Sequence, residues 1–267
     1  MTDDMAHRHG LRASFDELPE DFDRTRPVCP PELFDDLVSA GGLAPGARVV
    51  EIGCGTGQAT MPMAKRGLAV TAIELGADLA ALARRRLAAV PGAEVLTTTF
   101  EAWEGAPGTY DAVVAISSLH WIDPEVRYAK PFELLRPGGV LAVGGCAWAR
   151  PKDADPFWYE VQEDYFAVGY PGEPSPPPEK IGPWHFPPEA ARYFDEIASG
   201  RYPFTLVFSS DDYLAILATQ SGTNALGKAG KAEFLRLVRR RLEASGWPDL
   251  TATFVARLGI GRRHERG

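Results

Sequence analysis

The sequence predicts an α/β fold, a doubly wound and mostly parallel sheet with a small insert rich in proline and aromatic residues. Three observations predict it. Short, nearly continuous apolar runs alternate with segments of helical periodicity, the pattern of strands covered on both faces by helices. The first apolar run leads into the glycine-rich turn Gly53-Cys54-Gly55-Thr56-Gly57, where backbone approaches a ligand at the start of a helix. At 267 residues, 45% hydrophobic and 24% charged, the chain suffices for one α/β domain with an insert or two small domains.

Each element has a local reason. Arg48 to Ile52 reads as a strand entering the glycine turn. Gln58 to Arg66 reads as a helix closed by Gly67, with Pro62 tolerated near its first turn. Leu68 to Ile73 is a second strand. Ala77 to Val90 is a helix, because Leu79, Leu82, Ala83, Leu87 and Val90 recur at i, i+3, i+4 spacing before Pro91-Gly92 stops it. Ala93 to Thr98 and Tyr110 to Ser117 are the third and fourth strands. Glu125 to Leu135 is a helix, Pro137-Gly138-Gly139 a turn, and Val140 to Gly144 a fifth strand. Tyr202 to Phe208 and Thr251 to Leu258 are two more strands, the last followed by a polar Gly-Arg-Arg tail. Asp211 to Ala218 and Ala232 to Ala244 are helices.

Between these blocks the composition changes. Residues 171–188 hold eight prolines, and residues 157–194 hold ten of the chain's 27 aromatic residues. Linkers lack such apolar anchors, so this stretch is an ordered cap.

Charge and cysteine usage exclude several classes. The net charge of −8 disfavours nucleic acid as partner, since phosphate neutralisation needs clustered Lys and Arg. Arg84–Arg86 and Arg239–Arg241 read as solvated helix faces. There is no apolar run long enough for a membrane span, and the polar start of the sequence does not read as a secretory signal. Cys29, Cys54 and Cys146 are odd in number and far apart in sequence, which speaks against a disulfide framework or structural zinc and for the reducing cytoplasm. The histidines show no metal-ligand spacing, so no metal site is expected.

The glycine turn is the informative segment. It lacks the G-x-G-x-x-G spacing of a dinucleotide site and the terminal Gly-Lys-Ser/Thr of a phosphate loop. Instead Glu51 precedes Gly53 by two residues, and a second acid, Glu74, ends the second strand. At ~4 Å and an effective dielectric near 20, a carboxylate repels a phosphate charge by roughly 4 kcal/mol and attracts an ammonium as strongly. A carboxylate at the end of the second strand also accepts from ribose hydroxyls. The site therefore suits a nucleoside joined to a cation, a description that S-adenosylmethionine (SAM) meets. The competing reading is a tight structural turn with two incidental surface acids.

Glu51 to Gln58, Glu74 and Leu134-Leu-Arg-Pro-Gly-Gly-Val-Leu141 together resemble class I SAM-dependent methyltransferases over about residues 45–148. The segments Phe22 to Glu32, Gly55 to Thr60 and Ser117-Ser-Leu-His120-Trp121-Ile-Asp123 are similar to the small-molecule branch that includes trans-aconitate methyltransferases. The resemblance implies a Rossmann-like seven-stranded sheet with its last strand antiparallel. It implies that Gly53, Cys54 and Gly55 offer backbone to the methionine moiety and that Glu74 holds the ribose. Leu75 packs on adenine, Phe100 and Glu101 border the adenine ring, and Ser117 lies beneath the methionine part. Gln58 and Arg26 complete the expected cofactor set, Arg26 through either the cofactor carboxylate or an acidic substrate. Two departures stand out. Phe22 replaces a usual Tyr, and Gly76 replaces the usual Ser or Asp, leaving the next helix without a side-chain cap.

The expected organisation is an N-terminal segment over the cofactor site (1–30), a SAM-binding core (31–150), a cap over the acceptor pocket (151–200) and C-terminal elements completing the core (201–267). Methyl transfer is an in-line displacement from a cationic leaving group, so positioning and desolvation dominate. His120 is the candidate general base, or equally a histidine that shapes the pocket wall beside Trp121. Phe22, Trp121, Trp158, Tyr159, Trp184 and His185 are candidate substrate contacts, the alternative for the cap aromatics being a second small core. The expected reaction moves a methyl group to an O, N or C nucleophile of a small molecule, with S-adenosylhomocysteine (SAH) as product. The alternatives are a SAM cyclase or lyase, or a SAM-binding regulator. No membrane partner is expected, and monomer and homodimer stay open.

Overall fold

The structure is a computed structural model that describes residue 10, residues 14–246 and residues 249–265. A 3-10 turn at Ser14–Glu17 precedes helices α1 (Pro19–Thr25) and α2 (Pro31–Gly41). The core then alternates: β1 (Arg48–Ile52), α3 (Thr60–Lys65), β2 (Ala69–Glu74), α4 (Ala77–Leu87), β3 (Ala93–Thr97) and β4 (Tyr110–Ile116). A 3-10 turn at Leu119–Trp121 leads to α5 (Ala129–Leu134) and β5 (Leu135–Ala149). Beyond them lie α6 (Phe157–Glu160), α7 (Gln162–Ala167), two 3-10 turns at Pro178–Lys180 and Pro188–Arg192, and β6 (Phe194–Ser209). Helices α8 (Ser210–Ala218), α9 (Ser221–Ala225) and α10 (Gly227–Ser245) precede β7 (Asp249–Arg263).

The seven strands form one sheet in the order β3-β2-β1-β4-β5-β7-β6, with β7 antiparallel to its neighbours. Strands β3 through β5 pair in parallel, with Ile52 beside Ile73 and Val50 beside Val113. Strand order reverses between β1 and β4. In an open α/β sheet, the crevice at the carboxyl ends of two such strands is the ligand site.

The chain divides into two compact units. The first comprises residues 1–27, 147–181 and 203–255; the second comprises 28–146, 182–202 and 256–267. In the second unit Val50, Ile52, Ile73, Val113, Leu141 and Val143 form a core that Trp184, Phe186 and Tyr193 join from its edge. Helix α2 buries Leu33, Phe34 and Leu37 on one face, starts with Pro31 in its first turn and ends at left-handed Gly42. The first unit is built on aromatic packing, with Trp148 against Phe254 at 4.4 Å, Trp158 against Tyr213 at 5.3 Å and Tyr165 against Phe234 at 4.7 Å between ring centroids. Ser209 caps α8 by accepting from the Asp212 N–H.

Three strands correct the sequence expectations. Pro137-Gly138-Gly139 does not precede the fifth strand but lies inside β5. Tyr110 pairs with Leu135 and Ala112 with Val140, so extra β5 residues loop out opposite Asp111. The carbonyls of that bulge are used: Leu135 O accepts from Arg263 Nη1 at 2.7 Å and Gly138 O from Arg262 Nη1 at 2.9 Å. The expected polar tail is therefore the end of β7, its arginines tied to β5. Strand β6 begins at Phe194 rather than Tyr202. It is an edge strand whose residues are mostly exposed or half-buried; the apolar alternation that marks a strand is confined to Tyr202 through Phe208, and Pro203 is tolerated because one side carries no ladder. The expected helix 125–135 is regular only from Ala129, and the helix expected to run to Val90 ends at Leu87. Helices α1, α2, α6, α7 and α9 have no counterpart among the elements expected from the sequence.

Both arginine runs are occupied within the protein. Arg84 Nε donates to Val95 O, and Arg241 pairs with Asp164 at 2.5 Å and Glu163 at 3.0 Å. Among the described residues no helix is long and apolar enough to cross a membrane.

Candidate functional site

The candidate site lies in the second unit, where β1 and β4 end. Gly53, just beyond β1, has φ +66°. A Cβ there would stand 2.8 Å from the Ser118 Cβ, closer than real side chains approach. Ser118 cannot retreat freely, because its Oγ donates to Ile52 O. Ser117, just beyond β4, is the one non-glycine residue with positive φ among those described, at +59°. It is exposed and its N–H donates to Gly144 O at 2.7 Å. A left-handed serine is held there by its surroundings, as is common at ligand sites. The N–H groups of Gly53 and Cys54 both donate to Ile73 O, at 2.8 and 3.1 Å, which fixes the loop to the tip of β2. Gly55 and Gly57 also take positive φ, +57° and +90°.

Glu74 is nearly buried, and both its oxygens are committed to backbone. Gly55 N–H donates to Oε2 at 2.8 Å and Gly76 N–H donates to Oε1 at 2.9 Å. The second bond supplies the start of α4, which lacks a side-chain cap at Gly76.

Glu51 is 2% exposed and accepts from the Thr60 hydroxyl at 2.6 Å. Burial pushes its pKa up to about 7, with the Thr60 bond pulling down and the Glu74 charge adding to the rise. Because the native pKa lies above the ordinary 4.5, the contribution that neutral Glu51 makes to the stability of the ligand-free protein is full below pH ~4.5 and is lost as pH rises through about 7. A shift of this size corresponds to on the order of 3 kcal/mol. Thermal midpoints of the ligand-free protein are therefore expected to fall between pH 5 and pH 8, and to fall less in Glu51→Gln, whose amide oxygen still accepts from Thr60. Equal pH slopes in the two proteins would contradict the assignment. A bound ammonium opposes the loss by favouring the ionised carboxylate.

The remaining expected residues fall in several places. Cys54 is buried, its thiol pushed up by burial, so only its backbone is available. Gln58 turns onto its own loop, donating to Thr56 Oγ1 at 2.7 Å and accepting from Thr56 N–H at 3.1 Å. Leu75 is half-buried. Phe100 is 1% exposed within the core cluster, beneath Lys130 Nζ at 5.1 Å. Glu101 Oε1 lies 3.4 Å from Asp123 N–H, linking the segment after β3 to the one after β4. His120 is exposed and stacks at 4.7 Å on Trp121. Two residues escape a reading of the sequence: Thr60, whose signal is a hydroxyl at the start of the helix after the glycine turn, and Ser118, which carries none.

Arg26 and Phe22 belong to the first unit. The Arg26 guanidinium stacks over Phe22 at 4.6 Å and Phe15 at 5.6 Å and donates from Nη2 to Thr219 O at 2.5 Å. Its Nε has no partner, and burial brings its pKa down to about 10 against the raising effect of Tyr170. Trp158 is in the same unit and lines two cavities of about 160 and 200 Å³ that also share Trp148 and Ala149. Tyr159 donates to Pro151 O and Lys152 O under the Arg150 guanidinium. Trp184 and His185 fall instead in the second unit, Trp184 against the core and His185 paired with Glu196 at 2.6 Å.

This geometry is a sheet crevice with a pinned glycine loop flanked by two acids, Glu51 and Glu74. The family model described as a methyltransferase domain matches residues 49–139, the stretch that holds β1, the loop, both acids and β4. Residues 49–139 carry a methyltransferase domain. The two acids fit SAM, the cofactor expected from the sequence. When bound, SAM supplies an electrophilic methyl group on a sulfonium. An uncharacterized methyltransferase of Mycobacterium tuberculosis is 32% identical over 167 residues, 62% of this chain and 63% of that protein. The chain thus spans less than two thirds of the length of that relative. A trans-aconitate 2-methyltransferase of Paracidovorax citrulli is 36% identical over 125 residues, 45% of each chain. A solved structure described as a candidate type II methyltransferase from Anaeromyxobacter dehalogenans aligns with a TM-score of 0.64 at 25% identity, covering 89% of this chain and 97% of that one.

Proposed function

We propose that this methyltransferase moves the methyl group of SAM to a small acceptor bearing a carboxylate, in a reducing, cytoplasmic setting. The observation that carries the acceptor class is Arg26. A guanidinium has five N–H donors; here one meets a carbonyl, two neighbouring rings lie beside it, and among the described residues no carboxylate pairs with it. An incompletely satisfied buried cation is costly unless an anion completes it. The aromatic cavities of the same unit suit a partly apolar body. The similarity to a trans-aconitate 2-methyltransferase supports the same class. By resemblance Gly53, Cys54, Gly55 and Ser117 face the methionine part, Glu74 the ribose, and Leu75, Phe100 and Glu101 the adenine.

A carboxylate acceptor is already a nucleophile, so His120 acts as pocket wall rather than as base. His120→Ala is expected to retain kcat within about tenfold, whereas loss of a general base costs roughly 100-fold or more. Arg26→Met is expected to raise KM for an acidic acceptor by more than about tenfold. Both are read from SAH release. The acceptor class is tested by incubating the protein with SAM and panels of small acids, amines and phenols, followed by mass analysis. A gain of about 14 Da on acids supports the reading; a gain confined to amines or phenols contradicts it. Methylthioadenosine instead marks a lyase or cyclase, and binding without turnover a regulator.

A further inference from the structure

The three cysteines are far apart in sequence, but two of them meet. Cys29 Sγ and Cys146 Sγ are 3.2 Å apart, separated by 117 positions along the chain. Both belong to the second unit and both are free thiols. Cys29 is buried and Cys146 half-buried. Their positions are not arbitrary. Cys29 is the second residue of segment 28–146 and Cys146 is its last. That segment contains the glycine loop, both acids and Ser117. Cys146 also continues the β5 stretch whose Gly144 O receives the Ser117 N–H.

We propose that Cys29 and Cys146 form a reversible intrachain disulfide that closes the cofactor-binding segment into a covalent ring under oxidising conditions. The thiols need to approach by only about 1 Å to reach bonding distance. With peroxide as oxidant, one thiolate attacks the peroxide oxygen and releases hydroxide, and the second thiolate attacks the resulting sulfenic acid. The pair loses two electrons and two protons, and peroxide is reduced to two waters. With a low-molecular-weight disulfide, exchange proceeds through a mixed disulfide and releases two thiols. Hydrogen bonding to Cys29 and burial both push the Cys146 thiol up. Cys54, buried and remote from a second sulfur in sequence, is the internal control.

The test uses the full chain treated with hydrogen peroxide or glutathione disulfide, then alkylated under denaturing conditions. All three cysteines alkylate in the reduced protein. After oxidation only Cys54 is expected to alkylate, the mass falling by about 2 Da before alkylation, and digestion yields one peptide joining Cys29 to Cys146. Dithiothreitol restores all three thiols. The thermal midpoint of the oxidised protein is expected to rise by about 5 °C, because a long loop is closed in the unfolded chain. Cys29→Ser and Cys146→Ser each leave two alkylatable thiols after oxidation and show no midpoint rise. Full alkylation after oxidation, single-cysteine sulfinic acid, or cross-linked pairs of chains would each overturn the proposal. These readouts involve neither SAM nor an acceptor, so they stand apart from the proposed activity.

Discussion

Glu74→Ala is expected to weaken SAM binding by about 100-fold or more. The carboxylate does two jobs at one place. It is the acid expected to meet the ribose, and it holds the loop through Gly55 N–H and the start of α4 through Gly76 N–H. Truncation leaves two largely buried donors without acceptors, each costing ~1–3 kcal/mol, and removes the charge-assisted bonds to the diol. A 100-fold loss corresponds to about 2.7 kcal/mol, drawn from the charge-assisted bonds to the diol and the loosened loop, while the two orphaned donors lower folding stability. Glu74→Gln is informative beside it. The amide keeps the shape, but its NH₂ must face either Gly55 N–H or Gly76 N–H, donor against donor, so binding falls to an intermediate level. Calorimetric titration with SAM reads both. An alanine variant with wild-type affinity would mean that the ribose sits elsewhere.

Gly53→Ala is expected to abolish measurable SAM binding and to destabilise the protein by ~2–4 kcal/mol. The cost has two parts. A non-glycine residue at φ +66° pays ~1–2 kcal/mol. The new methyl group also meets the Ser118 Cβ at 2.8 Å, and relieving that contact requires breaking the Ser118–Ile52 hydrogen bond or shifting β4 at its buried end. Either movement displaces Ser117, on the other side of the crevice. Denaturant midpoints and SAM titration check the two effects separately. A variant that is stable and still binds SAM would show that the close approach of β1 and β4 is not what shapes the site.

Most of the cofactor site is legible in the amino-acid sequence, for a physical reason. Glycines with required positive φ, acids at strand ends and a strand-turn-helix rhythm are local features, so β1 appears with the expected bounds, Arg48–Ile52, and the loop follows it. The parts that escape depend on distant neighbours. The first half of β6, before Tyr202, lacks apolar alternation and declares itself only by pairing. The Pro-Gly-Gly segment lies in a bulge rather than a turn, where Arg262, more than a hundred residues on, donates to the Gly138 carbonyl. Thr60 is visible as a residue but not as the donor to Glu51. The cap aromatics separate into two groups, Trp158 and Tyr159 in one unit and Trp184 and His185 in the other, and nothing in their spacing announces that split. Cys29 and Cys146 look unrelated in sequence for the same reason.

The charge logic of the crevice is the claim on which the rest depends, and one calorimetric comparison tests it. Wild-type protein is titrated at neutral pH with SAM, SAH and nicotinamide adenine dinucleotide. Saturable one-site binding of the two adenosyl compounds, with no heat from the dinucleotide, is the predicted result. Tight binding of the dinucleotide together with no binding of SAM would contradict it.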